Sequence, residues 1–390
     1  MKKITIILLV LSGVFFMTCD KNNSGAGSET TVAEDKQNIE ALFDRTLDIV
    51  RTFENGRLIQ ALLTFTGLED GEVLNRRWID DLFESLDKTA GFRDYVETHE
   101  RFDFGYFEGK YDYNQSTKRW TKSSDSKLVI NFPAGPASKS NNCSVILSEY
   151  SDTRVTVNNR DRVYVPSKIR FSVTLDGQEI ASCQTDVSWE TVGFVTVKEA
   201  SVTVFTAPFT HTASIRQVKS TEYDAEATLF AGADHEPYVI KTKLKLAQAI
   251  DEDFFADDEL PVNYVYLTVA KGDLAFDGSL DMNTLNKYNN PTIEQINSVA
   301  TVNILYKDAK IGDLKLRTLN RDDYVFINYK DDTSENIEIY YEPFLDELDN
   351  ILRKYNDNDP VIDYRRASAQ FFTARYNQLK NAAHALFKTE

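Results

Sequence analysis

The side chains best suited to catalysis or metal binding are few and far apart in this chain. Its four histidines are His99, His211, His235 and His384, and no two of them have the spacing of a zinc site. His211 lies in a predicted strand and His384 in a predicted helix, so both are expected to be structural. His235 lies in a polar turn, where a metal would need ligands from elsewhere. We therefore predict no metal site.

The common motifs for nucleophiles and for phosphate binding are also missing. The sequence contains no G-x-S-x-G, no P-loop and no G-x-G-x-x-G. Its 61 acidic residues could supply a glycosidase pair, but that chemistry requires two carboxyl groups about 5 Å or about 6.5–9.5 Å apart across a cleft, a distance that the sequence does not give.

Two acidic loops, 251–259 and 357–363, offer oxygen atoms to hard cations, although plain exposed turns are favoured. We expect a non-enzymatic protein without a cofactor.

Trp120 is the candidate for an exposed ring that stacks on a sugar. It lies in the run Lys118-Arg119-Trp120-Thr121-Lys122, whose polar residues suit a surface position. The alternative, which is favoured, is an ordinary packing residue between strands. Trp120 is therefore kept as a ligand-binding candidate, and the exposure of its ring in the structure distinguishes the two interpretations.

The elements that would position these residues begin with helices in residues 35–100. Thr31 and Glu34 form a candidate capping box before the first helix, and Asn55-Gly56 ends it. Apolar residues at spacings of three and four then mark the second and third helices. The apolar positions of the three helices are Ile39, Leu42, Phe43, Leu47, Val50, Phe53, Leu58, Ile59, Leu62, Leu63, Phe65, Leu74, Trp78, Ile79, Leu82, Phe83 and Leu86.

From residue 101 to residue 341 the apolar period changes to two, which predicts strands. The alternation already begins at Phe102, Phe104 and Tyr106. The clearest hairpin turns at Asp176-Gly177, the dipeptide most typical of tight hairpins. Residues 342–390 predict two C-terminal helices, the first with Pro343 at its first helical position. Helices, then many strands, then helices predict an α+β fold with a large antiparallel meander that curls or splits.

Charge and cysteine content limit the partners and the covalent links. The formal charge is −17, so we expect no binding to nucleic acid, whose phosphates attract Lys and Arg. Of the three cysteines, Cys143 and Cys183 both lie in predicted strands. Export would allow a disulfide between them, and two free core cysteines are the alternative.

The N-terminus has the layout of a secretory signal. Lys2 and Lys3 precede an apolar run from Ile4 to Met17 that is too short for a membrane span. The run ends in Phe16-Met17-Thr18-Cys19, which resembles the lipobox of bacterial lipoproteins, with Phe16 where Leu is usual and Thr18 where Gly or Ala is usual. The resemblance covers these four residues and the signal before them. It implies cleavage after residue 18 and lipid attached to Cys19.

The expected mature protein is a lipid-anchored body on a flexible tether. Residues 19–34 are polar and predict the tether, and loss of Lys2 and Lys3 changes the formal charge to −19. We expect an envelope location, on the outer membrane of a Gram-negative bacterium, with the membrane contact made through lipid on Cys19. Asp20 is an inner-membrane retention residue in the enteric sorting rule, which other lineages do not follow, so the sequence leaves open which membrane carries the protein and on which face.

The expected function is binding or assembly at the envelope. The ligand could be a lipid, a glycan or an envelope protein. A carrier or sensor of a lipid or lipoprotein would need an apolar cavity in the sheet. A glycan-binding protein or glycoside hydrolase would need an exposed aromatic platform.

Overall fold

The computed structural model describes residues 30–66, 77–99, 101–135, 137–157, 161–190, 195–232, 235–250, 261–288, 291–319, 322–343 and 346. The predicted signal, Cys19, the tether up to residue 29, both acidic loops and most of the predicted C-terminal helices lie outside these ranges. Seven helices have defined bounds: α1 (Val32–Glu54), α2 (Arg57–Thr66), α3 (Arg77–Ala90), α4 (Phe92–Thr98), α5 (Phe104–Phe107), α6 (Met282–Leu285) and α7 (Ile293–Val299).

The residues that the structure describes form sixteen strands, which confirms the predicted α+β class with a large, mostly antiparallel sheet. The first eight are β1 (Gly109–Asn114), β2 (Arg119–Ser123), β3 (Leu128–Phe132), β4 (Cys143–Val157), β5 (Asp161–Leu175), β6 (Gln178–Glu190), β7 (Thr196–Thr206) and β8 (Phe209–Lys219). The others are β9 (Glu222–Ala231), β10 (Tyr238–Leu246), β11 (Val262–Lys271), β12 (Leu274–Asp281), β13 (Ala300–Tyr306), β14 (Ala309–Leu319), β15 (Asp322–Tyr329) and β16 (Ser334–Asn336).

Strand order follows chain order except at one end. The order is β16 down to β3, followed by β1 and then β2, so β2 and β16 are the end strands of an open sheet. β1 pairs with β3 in parallel, while β1 and β2 form an antiparallel hairpin. The Asp176-Gly177 turn is confirmed, because Leu175 pairs with Gln178 and both turn residues have positive φ.

The chain divides into two compact units, residues 1–50 with 217–390 (unit 1) and residues 51–216 (unit 2). In unit 1, α1 buries Ile39, Leu42, Phe43, Thr46 and Ile49. Its capping box is confirmed, since Thr31 N donates to Glu34 Oε2 at 2.7 Å and Glu34 N donates to Thr31 Oγ1 at 3.3 Å. Thr46 Oγ1 and the Tyr238 hydroxyl lie 2.6 Å apart, which fixes α1 against β10.

The core of unit 2 lies between helices α3–α5 and the first strands. Leu82 and Leu86 of α3, Tyr95 of α4 and Phe107 of α5 are buried in one cluster with residues of β1 to β4. Those strand residues are Tyr111, Trp120, Leu128, Ile130, Phe132 and Cys143. The helices therefore cover the strands at this end of the sheet.

Two local predictions are wrong. Residues Phe104–Phe107 form the short helix α5 instead of a strand, because Asp103 caps it by accepting a hydrogen bond from Gly105 N at 3.1 Å. The first C-terminal helix begins at residue 338, so Pro343 lies inside it rather than at its start. Asn336 Oδ1 accepts a hydrogen bond from Glu338 N at 3.1 Å and starts the helix earlier than the proline rule suggested.

Candidate functional site

Trp120 is a core residue, so it does not provide the exposed ring considered for sugar binding. Its side chain is 6 % exposed in the cluster below α3. The indole Nε1 donates to Ser85 Oγ at 2.9 Å, which satisfies the polar end of the ring inside the core. Trp120 is therefore a packing residue, as the favoured alternative predicted. A ligand could reach this ring only by displacing α3.

The described histidines are held in local contacts. His99 stacks on Tyr95, with ring centroids 3.9 Å apart. His211 lies in β8 as predicted, its Nε2 is 2.9 Å from Thr206 Oγ1, and burial lowers its pKa. His384 lies outside the described ranges. Across the residues that the structure describes, no three His, Cys, Asp or Glu side chains are grouped to bind a metal.

Cys143 and Cys183 are both free thiols. Cys143 is buried, and burial, together with the charge of Asp176, raises its pKa to about 12. Cys183 is half-buried on β6, where its Sγ lies 3.6 Å from Thr185 Oγ1. The two cysteines therefore differ in accessibility, and the alternative of two free cysteines is the one observed.

The surface that stands out as a binding candidate is one face of strands β6 to β8 in unit 2. Because paired residues of an antiparallel sheet share a face, the strand register places nine side chains together. They are half-buried, except Ile215, which is 36 % exposed. Eight of them are uncharged at neutral pH and the ninth is the imidazole of His211. We call this set the apolar face: Cys183, Thr185, Val187, Ala200, Val202, Val204, His211, Ala213 and Ile215.

The apolar face continues the covered core of unit 2. One row of paired residues runs from Leu128 through Leu147, Phe171 and Cys183 to Val204. Leu128 is 7 % exposed in the cluster under the helices, whereas the later members of the row are half-buried. The cluster extends as far as β5 through Val173 and Leu175. The row is apolar as far as β7 and reaches His211 on β8, which pairs with Val204, and the helical cover thins out along it.

Helix α2 borders the apolar face at the end where β5 turns into β6. Arg57 Nη2, in the first turn of α2, donates to the carbonyl of Leu175 at 3.4 Å. Phe53, just before α2, stacks on Phe209 of β8 with ring centroids 6.5 Å apart. The apolar face therefore has helical residues at one end of its strands and along its β5 side.

The opposite face of the same three strands is polar. The residues between those of the apolar face are exposed hydroxyl, amide and charged side chains: Gln184, Asp186, Ser188, Glu199, Ser201, Thr203, Thr212, Ser214 and Arg216. Alternation of this kind is typical of a sheet with one wet face and one face that packs against something apolar. The sequence of each strand contained this signal, but it did not show which strands the helices would cover.

A second concentration of polar groups lies in unit 1, where α1 meets the last strands. Lys36 Nζ lies 2.5 Å from Glu335 Oε2, and the hydroxyl groups of Tyr329 and Tyr340 both donate to Glu335 Oε1. Burial opposes the charged form of Glu335, but these hydrogen bonds outweigh it and hold its pKa below the usual value. Burial and the Glu335 carboxylate raise the pKa of Tyr329.

Asp35 belongs to the same region of unit 1 and is fully buried. Its Oδ1 accepts a hydrogen bond from Thr30 Oγ1, and its Oδ2 lies 3.5 Å from Lys330 Nζ. Lys330 also donates to the carbonyl of Thr30. These paired charges connect the start of α1 to the β15–β16 hairpin, which is a structural role.

No family model, curated protein or solved structure matches this chain. Among the described residues, no helix is both long enough and apolar enough to cross a membrane.

Proposed function

We propose that this protein is a lipid-anchored, non-enzymatic binding protein of the bacterial cell envelope, and that the apolar face of β6–β8 is its binding surface. The anchor would be lipid on Cys19, in the outer membrane of a Gram-negative bacterium. The observation that supports binding is the partial exposure of nine neighbouring side chains, all but His211 uncharged, on a face whose earlier strands are covered by helices. Apolar patches that stay accessible in a soluble body are commonly interaction sites.

The charge of the chain favours an apolar or neutral ligand. The formal charge is −17, which disfavours anionic surfaces and nucleic acid. Eight of the nine side chains of the apolar face are uncharged at neutral pH, and burial lowers the pKa of the ninth, His211, which favours its neutral form. Binding at this face would therefore be driven by removal of apolar surface from water, at about 25 cal/mol per Å² buried.

The test measures binding of Nile red, a neutral environment-sensitive dye, to the chain that starts at residue 19 and carries Cys19→Ser. Without the lipid on Cys19 this chain can be handled without detergent, which would itself bind the dye. We expect dye binding by this chain and at least a tenfold weaker affinity in Val202→Lys, since a charged side chain on the apolar face would have to be desolvated. Thr203→Lys is the matched control, because Thr203 is the next residue and lies on the polar face. Equal dye binding by both lysine variants would refute the proposed surface.

A further inference from the structure

Strand β2 is a basic end strand in an acidic protein. Residues 110–127 contain five Lys or Arg and two Asp, whereas the whole chain contains 44 Lys and Arg against 61 Asp and Glu. Three of these cations, Lys118, Arg119 and Lys122, lie in β2 or directly before it, and all three side chains are exposed. Within the described ranges none of the three forms an ion pair. This end of the sheet therefore presents positive charge that is open to a partner.

The outer edge of β2 has the geometry that a further strand requires. β2 pairs with β1 over five consecutive residues without a bulge, and among the described strands no other pairs with it. In an end strand every second residue directs its N–H and C=O groups away from the sheet. β2 contains no proline to interrupt that row. The edge therefore offers backbone donors and acceptors over about 17 Å.

β2 is fixed from its inner side by three contacts with unit 2. The Trp120 indole is buried and donates to Ser85 Oγ of α3 at 2.9 Å. Thr121 Oγ1 donates to the carbonyl of Asp112 on β1 at 3.2 Å. Lys122 Nζ lies over the Tyr111 ring, 5.1 Å from its centroid. Because the strand is already ordered, a partner at its outer edge would pay little of the usual cost of ordering a binding segment.

The charges of β2 determine which strand can be added to it. Lysines on end strands commonly prevent pairing between edges, and here they oppose pairing of β2 with the β2 of a second copy, since like charges would meet. Arg119 and Lys122 are three residues apart, so their side chains leave the strand on opposite faces. Opposite charges directly across two strands are favourable. The complementary strand therefore carries two acidic residues three positions apart.

We infer that β2 binds an extended acidic segment of another protein by strand addition. The backbone of the segment pairs with the outer edge of β2, and two of its carboxylates lie beside Arg119 and Lys122. This surface differs from the apolar face, because β2 is the end strand and β6–β8 lie in the interior of the sheet. The inference therefore does not depend on the proposed function.

The test is fluorescence anisotropy of labelled peptides with the chain that starts at residue 19 and carries Cys19→Ser. The peptide T-E-V-T-E-V-T has its glutamates three positions apart, and T-E-V-E-V-T-T has the same composition with its glutamates two apart. We expect the first peptide to bind about fivefold more tightly, which corresponds to one more pair of opposite charges across the strands. Methylation of its backbone nitrogens should abolish binding, because it removes the hydrogen bonds of the added strand.

Two variants of β2 and one control locate the binding edge. Arg119→Glu and Lys122→Glu should each weaken binding of the first peptide about tenfold, since attraction becomes repulsion. Lys198→Glu is the control, because Lys198 is an exposed lysine of the interior strand β7. It should leave the affinity unchanged. Urea midpoints show whether each variant is folded, and Arg119→Glu is expected to be, because its side chain is exposed.

The results that would overturn this inference differ from those that bear on the apolar face. Absence of peptide binding, equal affinity for the two spacings, or unchanged binding of the methylated peptide would exclude strand addition. Equal loss of affinity in Arg119→Glu and Lys198→Glu would mean that the peptide responds only to the overall charge. A dimer that Arg119→Glu dissociates would make the occupant a second copy. Nile red binding measures the apolar face independently of all four results.

Discussion

Lys36 Nζ and Glu335 Oε2 lie 2.5 Å apart although 299 positions separate them in the chain. Lys36 is in the second turn of α1, and Glu335 is in β16, the last strand of the sheet. Lys36 also lies over the Tyr329 ring, with Nζ 5.1 Å from the ring centroid. Glu335 thus accepts hydrogen bonds from a cation and two tyrosine hydroxyl groups beside the first turns of α1.

Replacing Glu335 should make stability less dependent on pH. The pKa of Glu335 in the folded protein is below the usual 4.5, so its contribution is fully present above pH 4.5 and is lost as pH falls towards the folded-state pKa. Glu335→Gln should cost about 1–3 kcal/mol at neutral pH, and the cost should shrink in acid. Urea denaturation at several pH values measures this difference.

Glu226→Gln is the control for the Glu335 experiment. Glu226 pairs with Lys241 at 3.5 Å, and its side chain is 51 % exposed. Exposed pairs contribute about 0–1 kcal/mol, so this variant should stay close to the parent protein at every pH. If the two variants lost equal stability, the Lys36–Glu335 cluster would have no special role.

The Trp120–Ser85 hydrogen bond should show coupling between the two side chains. Ser85→Ala leaves the buried indole N–H without its acceptor and should cost about 1–3 kcal/mol. Once Trp120→Phe has removed that N–H, Ser85→Ala should cost clearly less. Denaturation midpoints of the two single variants and the double variant form the required cycle. Strictly additive losses would mean that the hydrogen bond does not contribute to stability.

The two described cysteines should react with alkylating reagents at very different rates. With a pKa of about 12, about one Cys143 in ten thousand is a thiolate at pH 8, and the side chain is buried. Cys183 is half-buried and should be labelled in the native protein. Cys143 should be labelled only after denaturant is added. Peptide mass spectrometry assigns the sites, and rapid native labelling of Cys143 would contradict this burial.

In a chain exported behind a separately cleavable signal peptide, so that no apolar signal is retained, Cys19→Ser should release the protein from membranes if lipid on Cys19 is the anchor. The wild-type protein should sediment with the membrane fraction and carry the mass of attached lipid. Cys183→Ser is the control, because it removes a thiol without touching the lipobox. Membrane association that survives Cys19→Ser would show that another part of the chain holds the protein there.

The fold class followed from periodicity, because local alternation and capping residues report directly on local backbone structure. Thr31 and Glu34, and Asp176 with Gly177, formed the cap and the turn that their types predict. Phe104 and Tyr106 did not form a strand, because an alternation of three apolar residues that begins at Phe102 is too short to outweigh the cap that Asp103 provides. The parallel pairing of β1 with β3 was also not predictable, since alternation does not encode strand order.

The candidate site could be predicted only in part. Val202 and Val204 alternate with Ser201 and Thr203, so the sequence shows that β7 has an apolar and a polar face. Whether helices cover that apolar face depends on tertiary packing between segments more than a hundred residues apart. Tertiary packing also buries Trp120, whose indole donates to Ser85 of α3, 35 positions away, in agreement with the favoured packing alternative.

Native mass spectrometry of the Cys19→Ser chain, exported behind a separately cleavable signal peptide and purified without detergent from the periplasm of a Gram-negative host, tests the central claim most directly. The account predicts a bound ligand mass on this chain and on the same chain with Thr203→Lys, and the bare protein mass with Val202→Lys. A bare mass for all three chains, or a bound ligand that Val202→Lys retains, would contradict binding at the apolar face of β6–β8.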